Sequence, residues 1–276
     1  MQNHADLLEG LNSQQFKAVT HADGSLLVLA GAGSGKTKVL TTRLAWLIRT
    51  RHLGISEVLA VTFTNKAARE MLNRVGRLLH TDTKYMWVGT FHSIALRLLR
   101  AHYQEAGLPA SFQIIDAGEQ QSLIKRLIKQ KGLDEDRYPA KEIQSYINYQ
   151  KEQGLRAAQL TPDGLRTQQW LEIYNLYEET CNRDGLVDFT ELLLRSYELL
   201  AMHDGLLRRY QQQFKHILVD EFQDTNQLQY LWLKILVGAE SEIFAVGDDD
   251  QSIYSFRGAK VSNMRAFLRD FNAPEP

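Results

Sequence analysis

The chain has 276 residues, of which 44% are hydrophobic and 24% charged, values typical of a soluble globular protein of one or two domains. Its single cysteine, Cys181, excludes an internal disulfide and a four-cysteine zinc site. No apolar run reaches the ~18 residues of a membrane span, and the polar start "MQNHADLLEG" excludes a signal peptide. These features predict a cytoplasmic protein with no membrane partner.

The net charge of −1 is distributed unevenly along the chain. Residues 1–110 carry 13 Lys and Arg against 7 Asp and Glu, whereas residues 111–276 carry 19 against 26. A basic first part is suited to binding phosphates. Chance fluctuation explains the asymmetry equally well, so charge alone leaves both interpretations open.

Strand-like runs alternate with helical periodicity at the start of the chain and return near its end. The first three runs are SLLVLA (25–30), EVLAVTF (57–63) and YMWVGT (85–90), and the last two are HILVDEF (216–222) and EIFAVGD (242–248). Strand alternating with helix predicts a parallel sheet with helices on both faces. Between the two groups, residues 116–213 show almost only helical periodicity, with Gly and Pro breakers.

We therefore predict an α/β fold in which a parallel-sheet domain is interrupted by an all-helical insertion. The α/β domain comprises residues 1–110 and 214–276, and the insertion comprises residues 111–213. Two consecutive domains are the alternative, but they leave the last two strands without enough partners.

The segment AGAGSGKT (30–37) lies between the first predicted strand and a helix. Its glycines allow backbone N–H groups to face phosphate oxygens, and the helix N-terminus adds positive potential. Lys36 is then expected to bridge the β- and γ-phosphates, and the Thr37 hydroxyl to bind Mg²⁺. The pattern predicts a P-loop NTPase with ATP or a related nucleotide and Mg²⁺ as cofactors, although Ala30 stands where the strict motif has Gly.

A pair of acids, Asp220 and Glu221, ends the strand run ILV (217–219). In folds with this phosphate loop, an aspartate at a second strand end lies near Mg²⁺, and Asp220 fits that position. Glu221 is then available to orient or deprotonate a water molecule. Because kinases of this class need no hydrolytic base, the pair favours hydrolysis; a solvated acidic strand end is the alternative.

Three further loops follow predicted strands. In GDDDQSIYSFRGA (247–259), Gln251 is suited to sensing the γ-phosphate, and an aromatic and basic group is suited to stacking bases, namely Tyr254, Phe256 and Arg257. The other two loops are TFTNK (62–66) and GTFHS (89–93), at the edge where parallel sheets bind ligands. The alternatives are packed aromatic residues for the first loop and helix capping for the other two.

Taken together, these segments resemble the UvrD/Rep/PcrA family of superfamily 1 DNA helicases. LNSQQFKAV, AGAGSGKT, AVTFTNKAAREM, VGTFHS, LVDEFQDTN and VGDDDQSIYSFRGA occur in the family's order and approximate spacing, and GLVDFTELLLR (185–195) resembles its helical insertion. The resemblance implies a RecA-like ATP-binding domain of a motor that moves 3′ to 5′ on single-stranded DNA. It also implies activity at single-strand/duplex junctions and partners among DNA repair proteins.

The resemblance also implies roles for individual residues. Gln15 would recognise adenine, and the remaining nucleotide contacts would be Ala30, Gly31, Ala32, Gly33, Ser34, Gly35, Lys36, Thr37 and Lys38. The catalytic residues would be Lys36, Asp220, Glu221 and Gln251. The DNA contacts would be Phe63, Thr64, Asn65, Thr90, Phe91, His92, Phe189, Tyr254, Phe256 and Arg257. Two departures are Lys38, where relatives often carry Arg, and Phe256, where they often carry Trp.

The family continues into a second RecA-like domain, whereas this chain ends at FLRDFNAPEP. That domain supplies arginines to the γ-phosphate, and arginines of this kind contribute roughly 10³–10⁵ in rate. The expectation is therefore a monomeric half-motor with little ATPase activity alone. A non-motor module that binds ATP and DNA is the alternative, and the helicase part of a recombination nuclease is a third.

Overall fold

The computed structural model describes residues 5–248 and 260–276. Two compact units are present, and each is described by itself. The first comprises Met1–Ile94, Asp204–Asn226 and Trp232–Pro276, and the second comprises Ala95–His203 and Gln227–Leu231. The domain boundaries predicted from the sequence, 110/111 and 213/214, differ from the divisions at 94/95 and 203/204 by sixteen and ten residues, and Gln227–Leu231 also falls in the second unit.

A five-stranded parallel sheet forms the centre of the first unit. Its strands are β1 (Leu26–Leu29), β2 (Val58–Thr62), β3 (Trp87–Thr90), β6 (His216–Val219) and β7 (Glu242–Gly247). Their order across the sheet is β1-β7-β6-β2-β3, and every pairing is parallel. All five carboxyl ends therefore lie at one edge, with the end of β7 between the ends of β1 and β6.

Helices accompany these strands along the chain. They are α1 (Ala5–Leu8), α2 (Ser13–Val19), α3 (Lys36–Thr50), α4 (Asn65–Leu79), α5 (Phe91–Ala101), α10 (Asp204–Gln213), α11 (Gln227–Leu236) and α12 (Lys260–Asp270). Every residue of β2 and β6 is buried, as expected for strands covered on both faces. Leu40 and Leu44 of α3 share one apolar cluster with Leu218 and Val246. This burial explains why these strands read as continuous apolar runs.

The second unit is mainly helical. Its helices are α6 (Ala117–Gln130), α7 (Ala140–Glu152), α8 (Leu165–Asp184) and α9 (Phe189–Met202), with a 3₁₀ turn at Ala157–Gln159. A separate apolar cluster, which includes Ile124, Ile143 and Ile173, holds it together. A short parallel pair joins β4 (Gln113–Ile114) to β5 (Leu186–Val187). That pair was not predicted, because two residues show no periodicity.

The predicted fold class is confirmed: a parallel α/β sheet carries an insertion that is helical apart from the β4–β5 pair. The five predicted sheet strands all form. Among the described residues, no helix combines the length and the apolar character that crossing a membrane requires.

Candidate active site at the carboxyl edge of the sheet

The loop after β1 has the geometry of a phosphate-binding loop. Gly33 and Gly35 take positive φ values of 77° and 87°, which an L side chain rarely adopts. A Cβ atom at Gly35 would also lie only 2.8 Å from Gln15 Nε2. Because α3 begins at Lys36, directly after Gly35, the first N–H groups of α3 are available to an anion at this edge.

The amine of Lys36 lies inside this loop. It donates to the carbonyl oxygen of Ala30 at 2.9 Å and to that of Gly31 at 3.3 Å. Its third partner is the carboxylate of Asp248, at 3.4 Å. The Lys36 side chain is 10% exposed, so a nearly buried cation is held where phosphates are expected to bind.

Gln15 connects α2 to the same loop. Its Nε2 donates to the carbonyl oxygen of Ser34 at 2.9 Å, and its Oε1 accepts from Asn12 N at 3.1 Å. Asn12 in turn caps α2, since its Oδ1 accepts from Gln15 N at 2.8 Å. A cavity of about 520 Å³ adjoins these residues and is lined by Gln15, Ser34 and Lys36 among others. That volume is in the range of small-molecule sites.

Asp220 and Glu221 follow β6 at the same edge. Asp220 is 4% exposed. Burial, reinforced by the charge of Glu221, raises its pKa to about 6. Glu221 is half-buried and takes a left-handed backbone conformation, with φ 48° and ψ 45°. For a residue other than Gly this conformation is uncommon and occurs at functional sites.

Thr37 and Asp220 offer oxygen donors suited to Mg²⁺, which prefers carboxylates and hydroxyls with several retained waters. The raised pKa of Asp220 indicates a buried carboxylate whose charge is incompletely compensated. A divalent cation would supply that compensation, so the residues present fit the ion. Among the described residues, no group of three or more His, Cys, Asp or Glu side chains forms a site for a metal held by protein alone.

Two residues of this edge were missed by the sequence analysis. Gln223 lies in the 3₁₀ turn Phe222–Asp224, and its Nε2 donates to Glu221 Oε2 at 2.8 Å. Its Oε1 accepts from Asp248 N at 2.9 Å. Gln223 and Asp248 belong to motifs that were recognised. Each motif contains several polar residues in a row, so the sequence does not show which of them make contacts.

Residues expected to bind DNA lie at the ends of β2 and β3. Phe63 is half-buried, and Thr64 and Asn65 are exposed. The hydroxyl oxygen of Thr64 accepts from Ala67 N at 3.1 Å, and that of Thr90 accepts from Ser93 N at 3.2 Å. The capping alternative thus accounts for both threonines, although each hydroxyl keeps its own proton to donate.

The ring of Phe91 is 1% exposed and packs edge-on against Phe63 and Trp232, with centroid distances of 5.5 and 6.0 Å. A ring buried in this way supports its neighbours and does not face solvent. His92 is half-buried, and burial lowers its pKa, which favours the neutral imidazole. Phe189 begins α9 in the second unit, and 56% of it is exposed.

Gln251, Tyr254, Phe256 and Arg257 lie outside the described residues. Their predicted roles stay predictions.

Comparison with known proteins matches this chain to one family along nearly its whole length. The profile of the UvrD/REP helicase N-terminal domain matches residues 11–272. The chain is 51% identical to DNA helicase II of Haemophilus influenzae over 99% of its length, and 51% identical to DNA helicase II of Escherichia coli over 98%. It is 40% identical to the ATP-dependent DNA helicase PcrA of Leuconostoc citreum over 96%. It spans only 38%, 38% and 36% of those relatives, respectively.

Proposed function

The chain belongs to the UvrD/REP helicase N-terminal domain family, and from that premise we propose that it is the ATP- and single-stranded-DNA-binding part of a 3′-to-5′ DNA helicase. The observation that carries the proposal is the order of strand ends at one sheet edge. The phosphate loop follows β1, Asp248 follows β7, and Asp220 and Glu221 follow β6. This order brings the groups needed to bind and hydrolyse a nucleoside triphosphate together.

The proposed nucleotide contacts begin with the phosphate loop and the first turn of α3. Lys36 binds the β- and γ-phosphates, exchanging its present carbonyl and carboxylate partners for phosphate oxygens. Thr37 and Asp220 would hold Mg²⁺, which would supply neutralisation of the phosphate charge. Gln15 recognises adenine, because its carboxamide retains one N–H and one lone pair beyond the two hydrogen bonds described.

Glu221 is proposed as the residue that orients and deprotonates the attacking water. Its half-buried carboxylate is fixed on one side by Gln223 and leaves the other oxygen for a water molecule. The neighbouring Asp220 would hold the metal ion, so the two acids are proposed to have separate roles.

Single-stranded DNA is proposed to cross the ends of β2 and β3. Phe63 offers a partly exposed ring for stacking a base, and Thr64 and Asn65 offer exposed polar groups. Phe91 supports the ring of Phe63 and does not itself touch DNA. Phe189 offers a second exposed ring. We further propose that the protein acts at single-strand/duplex junctions and that its partners include DNA repair proteins. Its proposed location is the cytoplasm.

The proposal is tested by binding of a fluorescent ATP analogue to the 276-residue chain. Hydrolysis of ATP is measured after the chain is joined to a second RecA-like domain, which supplies the arginines expected at the γ-phosphate. Lys36→Ala is expected to abolish nucleotide binding, because the loop loses its cation. Glu221→Gln is expected to keep binding and to lose hydrolysis, because an amide cannot accept the proton of water.

Lys84→Ala is the matched control, since Lys84 is exposed and precedes β3 at the opposite end of the strand. Nucleotide affinity that is equal in the wild type and Lys36→Ala would sink the proposal. Equal hydrolysis in the wild type and Glu221→Gln would remove the role of Glu221 alone.

A further inference from the structure

Gln223 forms a bridge between two strand ends of the candidate active site. Its carboxamide donates to Glu221 Oε2 at 2.8 Å and accepts from the backbone N–H of Asp248 at 2.9 Å. The side chain is 2% exposed. One buried amide group therefore connects the loop after β6 with the residue that follows β7.

The orientation of this carboxamide is determined by its surroundings. The N–H of Asp248 can only donate, so the Gln223 atom that faces it must be the carbonyl oxygen. The NH₂ group then faces Glu221 Oε2, which accepts from it at 2.8 Å. Both contacts are satisfied in this orientation. The flipped amide would place its NH₂ group against the N–H of Asp248 and its oxygen against the carboxylate of Glu221, so neither hydrogen bond could form.

Gly247 provides the space for this arrangement. A Cβ atom at Gly247 would lie 3.2 Å from Gln223 Oε1, closer than side chains ordinarily pack. The last residue of β7 thus leaves room for the amide to approach the backbone of Asp248. Because the Asp248 carboxylate pairs with Lys36 at 3.4 Å, the bridge also ties Glu221 to the residue that engages the phosphate-loop lysine.

From this geometry we propose that Gln223 is the positioning residue of the hydrolytic base: it holds the Glu221 carboxylate in place and couples it to the end of β7. Glu221 needs such support because its backbone has a left-handed conformation, which a residue with a side chain rarely keeps without external contacts. The inference rests on the proposed function of Glu221. Gln223 contacts Glu221 and Asp248 and no nucleotide, so a change at Gln223 is expected to affect turnover more than nucleotide binding.

The substitution Gln223→Glu isolates this role. The new carboxylate keeps an acceptor for Asp248 N–H, but it replaces the donor to Glu221 by a like charge. Single-turnover hydrolysis of labelled ATP is measured with the protein in excess, after the chain is joined to a second RecA-like domain that supplies the arginines expected at the γ-phosphate. The rate is expected to fall at least about tenfold, because a displaced base loses most of its contribution. Affinity for a fluorescent ADP analogue is expected to fall by less than the rate does, because the substitution adds a charge near the phosphates but Gln223 contacts no nucleotide. Gln227→Glu is the control, since it adds the same charge at an exposed glutamine.

A double-mutant cycle with Glu221→Gln tests the contact without relying on hydrolysis. Gln223→Glu alone is expected to lower the thermal midpoint, because two carboxylates then face each other. Adding Glu221→Gln is expected to restore it, because the new amide at 221 donates to the new carboxylate at 223. If Gln223 had only a structural role, Gln223→Glu would lower the thermal midpoint equally in the wild type and in Glu221→Gln.

The results distinguish the proposed role of Glu221 from the proposed role of Gln223. Wild-type hydrolysis that is no faster than that of Glu221→Gln would overturn the proposed role of Glu221, and the positioning role with it. If Glu221→Gln is inactive but Gln223→Glu turns over at the wild-type rate, the positioning role alone is wrong. A midpoint loss that the second substitution does not relieve would also overturn it.

Discussion

Lys36 Nζ lies 3.4 Å from Asp248 Oδ2, and this ion pair joins the first residue of α3 to the residue that follows β7. The two side chains are 10% and 8% exposed, so bulk water screens their attraction only partly. The amine in this pair is the one that we propose binds phosphate. Asp248 and a nucleotide therefore compete for Lys36.

Asp248→Asn is expected to strengthen binding of ADP and ATP by roughly three- to tenfold, about 1 kcal/mol. The substitution weakens the competing partner of Lys36 and removes a negative charge near the phosphates. Titration of a fluorescent nucleotide measures the effect, and Glu240→Gln, at a carboxylate that is 84% exposed, is the control. Affinity that falls in Asp248→Asn would mean that Asp248 supports the nucleotide site.

The stability of the sheet unit is expected to depend on Asp220. Burial, followed by the charge of Glu221, raises the pKa of Asp220 from 3.8 to about 6. The unfolded chain therefore loses this proton near pH 4 and the folded chain near pH 6. Within that window the folded state binds more protons, so this group makes folding less favourable as the pH rises, with the full cost above about pH 6.

Asp220→Asn removes that cost and keeps an oxygen for the N–H of Glu221, which now donates to Asp220 Oδ1 at 3.1 Å. Without added metal ions, we expect the free energy of unfolding to increase by about 2–3 kcal/mol at about pH 8. The gain should disappear near pH 4. Urea unfolding at both pH values measures it, and a gain that is the same at both would contradict a titrating buried carboxylate.

Local sequence was sufficient for the strands and the phosphate loop. Continuous apolar runs predict buried parallel strands, and β2 and β6 are buried at every residue. The glycines and GKT of residues 30–37 require a particular loop, and Gly33 and Gly35 take the positive φ values that such a loop needs. These features depend on residues that are close in the sequence, so a local sequence pattern is sufficient to predict them.

The bridge through Gln223 could not be predicted in the same way. It depends on β7 lying between β1 and β6, and neither periodicity nor spacing reveals strand order. Within the motif, Gln223 is one polar residue among several, and only its approach to Gly247 and Asp248 distinguishes it. The packing of Phe91 could not be predicted for the same reason. Its ring was expected to contact DNA, but in the structure it packs against Phe63 and Trp232.

Phe63→Ala is expected to weaken binding of single-stranded DNA by about 1–3 kcal/mol, the usual contribution of one stacked base. The ring is half-buried at the carboxyl end of β2 and is backed by Phe91 at 5.5 Å. Fluorescence anisotropy with a labelled oligothymidine measures the loss. Oligothymidine suits this test because it forms little secondary structure.

Tyr85→Ala is the control for that measurement. Tyr85 is 61% exposed, but it precedes β3 and so lies at the opposite end of the strands. Its removal should leave DNA affinity unchanged. Equal losses for the two variants would contradict a DNA path across the carboxyl edge and would favour nonspecific contact with exposed rings.

Lys151 in the second unit is 1% exposed and is held by two carboxylates. Its Nζ lies 2.7 Å from Asp188 Oδ2 and 2.9 Å from Glu191 Oε2. Burial alone would lower the pKa of Lys151, but Asp188 and Glu191 outweigh it and raise that pKa, so the side chain is charged. The hydroxyl of Tyr177 also donates to Asp188 Oδ2, at 2.7 Å.

Lys151→Met is expected to lower the free energy of unfolding of the second unit by about 3–5 kcal/mol, because it leaves buried Asp188 without its lysine, whereas Glu191 keeps Arg156 and Arg195. Lys141→Met makes the same substitution at an exposed lysine of α7 and should change stability little. Urea unfolding followed by circular dichroism compares the two. Adding Asp188→Asn to Lys151→Met should recover part of the loss, since the charge that lost its partner is then removed. A loss of similar size in both lysine variants would mean that the apolar stem of lysine, and not its buried charge, supports the helices.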